Sequence, residues 1–66
     1  MKKYVVKCSL GYYTNISFMP FSNDINDACC YSLRSDALFR QKVLGEDGDI
    51  KNIEIKEVKI EIIEII

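Results

Sequence analysis

Histidine is missing from this 66-residue chain, and so is tryptophan. Without imidazole the chain lacks the usual general base and the commonest transition-metal ligand. Three cysteines occur, Cys8, Cys29 and Cys30. An odd number with two adjacent makes a poor disulfide framework and points to a reducing, cytoplasmic setting. They form no Cys-x-x-Cys, and a tetrahedral zinc site would need a fourth soft ligand. Glu46, Asp47 and Asp49 lack the ligand spacing of an EF-hand loop. Gly45 and Gly48 frame acidic residues that would repel a phosphate. No stretch approaches ~20 uninterrupted apolar residues, so no membrane span is expected. The basic opening Met1-Lys2-Lys3 is followed by an apolar run too short for a signal peptide. The sequence therefore predicts no catalytic residue, no metal site and no cofactor.

What the chain does have is apolar β-branched residues. Hydrophobic residues make up 48% of it, enough for one folding domain and too much for disorder. A chain this short buries only about 60% of its unfolded surface. The surplus of isoleucine exceeds what one small helix covers, so self-association is expected. Residues 50–66 alternate isoleucine or valine with charge over most of their length, the period-two pattern of a half-buried strand. The alternation slips at Lys56-Glu57, because Ile53 and Ile55 share one parity while Val58, Ile60 and Ile62 share the other. A β-bulge there would return both sets to one core. An unbroken strand would point them to opposite faces. Ile55, Val58, Ile62 and Ile65 also fit helical spacing.

Upstream, Tyr4, Val6, Cys8 and Leu10 alternate as a first strand, Gly11 supplies a turn, and Thr14, Ile16 and Phe18 alternate as a second. The expected hairpin spans 3–19, closed by Pro20, which cannot donate to a ladder. A polar loop follows over 20–27, with one helical turn capped by Asn23 or Asp24. Residues 28–32 are ambiguous between helix and strand. Ser35-Asp36 reads as a helix start, which favours a short strand before it. The helix is expected over 36–44, with Gly45 as a left-handed stop. Ala37, Leu38, Gln41 and Leu44 would form its apolar side, and Phe39 and Val43 would lie roughly opposite. The predicted fold is a small α+β domain: an antiparallel sheet, β-β-(β)-α-β, with one short helix packed on it.

Charge is unevenly divided. Residues 1–44 hold six Lys/Arg against three Asp/Glu, and residues 45–66 hold three against seven. Complementary edges within one sheet, or between subunits, account for this more simply than an acidic strand that mimics nucleic acid for a basic partner, and nucleic-acid binding itself calls for a stronger basic patch.

Asp24, Ile25, Ala28, Tyr31 and Ser32, the helix start Ser35-Asp36-Ala37, the ending Leu44-Gly45 and the charged strand Ile53 to Ile62 resemble an arrangement in short phage and prophage proteins of low-GC Gram-positive bacteria. The resemblance covers most of the chain as a pattern of composition and spacing. It implies an α+β fold and a cytoplasmic milieu within a bacterial host. It also implies a small binding protein that blocks a host protein, such as a defence component, or that sequesters a signalling nucleotide.

The expected partner-binding residues are Tyr12 and Tyr13 beside the hairpin turn, with at least one of them exposed. Phe39 and Val43 on the helix, and Ile60 and Ile62 on the last strand, join them in a homodimer or against a target. The alternative is a nucleotide held in a subunit cleft by Arg34, Arg40 and Lys42.

Overall fold

A computed structural model describes residues 2–59; the C-terminal positions from 60 onward, Ile60 and Ile62 among them, lie outside the described residues. Strand β1 (Lys2–Cys8) turns at Ser9-Leu10 into β2 (Gly11–Tyr13), and β3 is the two-residue strand Phe21–Ser22. A 3-10 turn at Ile25–Asp27 leads to helix α1 (Arg34–Gly45), and β4 (Glu54–Lys59) follows. The strands form one antiparallel sheet in the order β3-β2-β1-β4. The described residues form a small α+β fold of four strands and one helix.

Alternation along β1 decides the layers. Tyr4, Val6 and Cys8 point to one face, and α1 packs on that face. The core gathers Val6, Ala37 and Leu44, with Tyr4, Tyr13, Phe21, Tyr31, Ile50, Ile53 and Ile55 around them. Val5, of opposite parity, has 0% exposure yet stands outside that cluster. Its face carries Lys3 and Lys7 beside it and Lys56 directly across the strand pair. Long lysine stems can cover apolar surface while their charged ends stay in water.

The hairpin turn differs from the primed types that favour glycine inside the loop. Neither Ser9 nor Leu10 has positive φ; the left-handed value, 115°, falls on Gly11. Tyr12 and Tyr13 therefore lie within β2 and not at the turn. Both are half-buried, contrary to the expectation that one would be exposed. Leu10 is the exposed apolar residue at the apex.

The second strand is shorter than predicted, because Thr14-Ile16-Phe18 folds into a loop. Thr14 is buried; its hydroxyl donates to the Met19 carbonyl and accepts from the Ile16 N–H at 3.1 Å. Asn15 takes φ 61°, and the Thr14 N–H reaches the Pro20 carbonyl at 3.0 Å. A hydroxyl that bonds its own backbone competes with a ladder, and the ladder gives way. The chain returns at once as β3, inside the segment expected to be loop. The turn after it is capped by Asp24, whose carboxylate accepts from the Asn26 N–H at 2.9 Å.

The 28–32 segment is extended and joins the sheet at two points: Tyr31 and Tyr4 exchange backbone hydrogen bonds of 2.8 and 2.9 Å, and the Cys29 N–H donates to the Tyr13 carbonyl at 2.8 Å. Helix α1 starts earlier than Ser35. Leu33 is the cap residue, with no side-chain bond, and Ser35 sits in the first turn. Gly45 belongs to the helix with no positive φ, and Glu46 closes it in right-handed geometry.

β4 has no bulge at Lys56-Glu57. Its register with β1 runs unbroken from Lys2↔Lys59 to Lys7↔Glu54. Ile55 and Val58 consequently lie on opposite faces, Ile55 beside Val6 and Val58 beside Lys3. The slip occurs earlier. Ser9 N–H donates to the Lys51 carbonyl at 2.8 Å, where a continuous register would offer Asn52. Asn52 has φ 57°, a value asparagine tolerates better than most residues. The basic and acidic parts of the chain meet along this pairing, and Lys2 and Glu57 form an ion pair of 3.3 Å.

Candidate functional site

Helix α1 turns two unlike sides to its surroundings. At about 100° of rotation per residue, steps of four and then three residues bring Ala37, Gln41 and Leu44 back to the sheet side. Ala37 and Leu44 are buried, and Gln41 Nε2 donates to the Ile53 carbonyl at 3.0 Å, tying the helix to the start of β4. On the far side Phe39 is 66% exposed, with Leu38 at 40% and Val43 at 36%. These three are neighbours at i, i+1 and i+4 or i+5. They make an apolar stripe on solvent, with Lys42 exposed between them. Leu38, expected on the buried side, falls on the shoulder of this stripe, one step of rotation from Ala37. Leu33, just before the helix, is also exposed.

The tyrosines expected at an interaction surface are separated by the sheet. Tyr12 stands on the face away from the helix, with Lys7 Nζ 5.2 Å from its ring centre. Tyr13 is on the helix side, edge-to-face with Phe21 at 6.1 Å. Its hydroxyl donates to the Asn15 side chain at 3.0 Å. Phe39 and Val43 share the outer helix face with neither tyrosine.

The three cations proposed for a phosphate site are dispersed. Arg34 and Lys42 are exposed. Arg40 folds inward, its guanidinium carbon 4.7 Å from the Tyr13 ring centre, and its buried Nε has no acceptor among the described residues. It also flanks Tyr31. Burial pushes the Tyr31 phenol up, Arg40 opposes that by favouring the phenolate, and a hydrogen bond with Cys29 adds to the rise. Cys8 is buried, Cys29 half-buried and Cys30 exposed, all as free thiols.

Among the described residues no cavity forms, and no group of three or more Cys, Asp or Glu converges. No described helix is long and apolar enough to cross a membrane. The strongest feature is the Leu38–Phe39–Val43 stripe. The chain matches no protein-family model, no curated protein and no solved structure.

Proposed function

We propose that the protein is a non-enzymatic binding protein of the phage type, acting in the bacterial cytoplasm as a homodimer that blocks a host protein. The observation that carries this is the exposed stripe of Leu38, Phe39 and Val43 on a helix whose other side is committed to the core. Folding leaves two-thirds of the Phe39 surface unburied, 66% exposed. Aromatic side chains of this kind supply the buried anchor of many protein interfaces. A helix face presented at i, i+1 and i+5 suits a hydrophobic groove on a partner.

The test is capture from a lysate of the encoding host by the tagged protein, followed by reconstitution from purified components. Wild type should retain one host protein in stoichiometric amount, and Phe39→Asp should lose it while remaining folded. Retention of the same protein by Phe39→Asp, or capture of none by wild type, would overturn the reading.

A further inference from the structure

We propose that two copies join edge to edge through β4, antiparallel and centred on Val58, to make one continuous sheet. This deepens the self-association in the reading above and rests on it.

The backbone shows which groups are free. Tyr4 spends both its N–H and its C=O on Tyr31. Backbone groups alternate in direction along a strand, so Lys3, Val5 and Lys7 direct theirs to β4. Their partners Val58, Lys56 and Glu54 answer them. Ile55, Glu57 and Lys59 therefore point their N–H and C=O groups away from β1. Among the described residues nothing pairs with that edge. A six-residue strand with an open, regular edge is a template for another strand.

The side chains select both the occupant and the register. A two-fold axis normal to the sheet keeps each face continuous across the junction and places equivalent residues around one central position. Centring on Lys56 or on Glu57 sets like charges against each other. Centring on Ile55 places Glu54 opposite the partner's Lys56, but it also needs the outward carbonyl of Ile53, which Gln41 occupies at 3.0 Å. Asn52, at φ 57°, ends the extended run just before it.

Centring on Val58 meets neither obstacle. Glu57 stands opposite the partner's Lys59, and Lys59 opposite the partner's Glu57. Each such pair exchanges two backbone hydrogen bonds. Val58, half-buried, meets the partner's Val58 at the closer, non-hydrogen-bonded spacing. Both helices then lie on one side of the shared sheet, with their Phe39 stripes free for a target.

Light scattering coupled to gel filtration on the full chain tests this, with circular dichroism to verify folding. Wild type should be a dimer. Glu57→Lys and Lys59→Glu should each raise the dimer dissociation constant about tenfold or more, since each sets like charges together twice. The double variant Glu57→Lys/Lys59→Glu should restore the dimer. A monomeric wild type would overturn both this pairing and self-association. A dimer indifferent to the single changes, or one not restored by the double, would overturn the Val58 register alone. So would a dimer broken by Glu54→Lys and restored by Glu54→Lys/Lys56→Glu.

Discussion

Arg40 lies over the ring of Tyr13, 4.7 Å from its centre, and the same guanidinium flanks the phenol of Tyr31. One cation thus organises two tyrosines on the helix side of the sheet. A planar guanidinium stacks on a ring in a way that an ammonium does not. This link between α1, β2 and the 28–32 segment has a pH signature.

The Tyr31 phenol is held above its ordinary value of 10.0, chiefly by burial. A group whose folded pKa is raised keeps more protons in the native state than in the unfolded one, so stability falls as pH rises through that interval. Tyr31 should therefore leave stability unchanged below about pH 9 and reduce it above pH 10. Urea unfolding between pH 8 and 11 should show the decline, and Tyr31→Phe should flatten it. An equal decline in the variant would assign the effect to other groups.

Gly11 stands at φ 115°, and a Cβ there would approach the Ser22 carbonyl oxygen to 2.6 Å. Gly11→Ala combines backbone strain of about 1–3 kcal/mol with a backbone clash that the β2–β3 pairing has no room to relieve. Thermal unfolding should show a loss at the upper end of that range or beyond. A change below about 0.5 kcal/mol, the scale of an ordinary surface substitution, would count against this geometry.

Leu44 and Phe39 sit on opposite sides of α1 and should respond in opposite ways. Leu44→Ala removes a buried contact with the sheet and should cost about 2–5 kcal/mol, which a chain this small can scarcely spare. Phe39→Asp should change stability by only about 0.5 kcal/mol in either direction. Chemical denaturation of both variants checks the assignment of the two helix sides, independently of any binding partner.

Proline scanning of β4 reads out backbone direction. At Lys56 the N–H faces β1, so Lys56→Pro should break the central pairing and unfold the chain. At Glu57 the N–H faces outward, so Glu57→Pro should keep the fold and remove only the edge. Circular dichroism separates the two outcomes. Equal damage at both positions would contradict the alternation deduced from the Tyr4–Tyr31 pair.

Much of this architecture was legible in the residues. The alternation of Tyr4, Val6 and Cys8, a hairpin near Gly11, the helix ending near Leu44 and the charged final strand all carry strong local signals. The errors share a physical cause: a short polar or charged cue that local and tertiary structure resolved differently. Thr14-Ile16-Phe18 has strand spacing, but the Thr14 hydroxyl and the left-handed Asn15 make a loop. Ser35 has the chemistry of a cap, but the Tyr31 bridge delivers the chain to the helix at Leu33. Lys56-Glu57 reads as a bulge only if one face is buried. Val5 gives the other face an apolar centre, so Val58 has a place there and the true slip could move to Asn52.

The helix surface was partly legible. Phe39 and Val43 fall opposite Ala37 by rotation alone. That Arg40 would be drawn onto Tyr13, away from Arg34 and Lys42, depends on the sheet order and has no local signal.

β1 is the central strand most fully paired on both sides, yet its partners emerge at different times during synthesis. The β2 hairpin, the Tyr31 bridge and α1 involve only residues that precede β4 in the chain. The long edge facing β4 stays open until residues 54–59 leave the exit tunnel. Every nascent chain therefore passes through a stage in which the middle of its sheet is an unprotected rim, until β4 docks on it. Any strand-like competitor nearby will bear directly on yield.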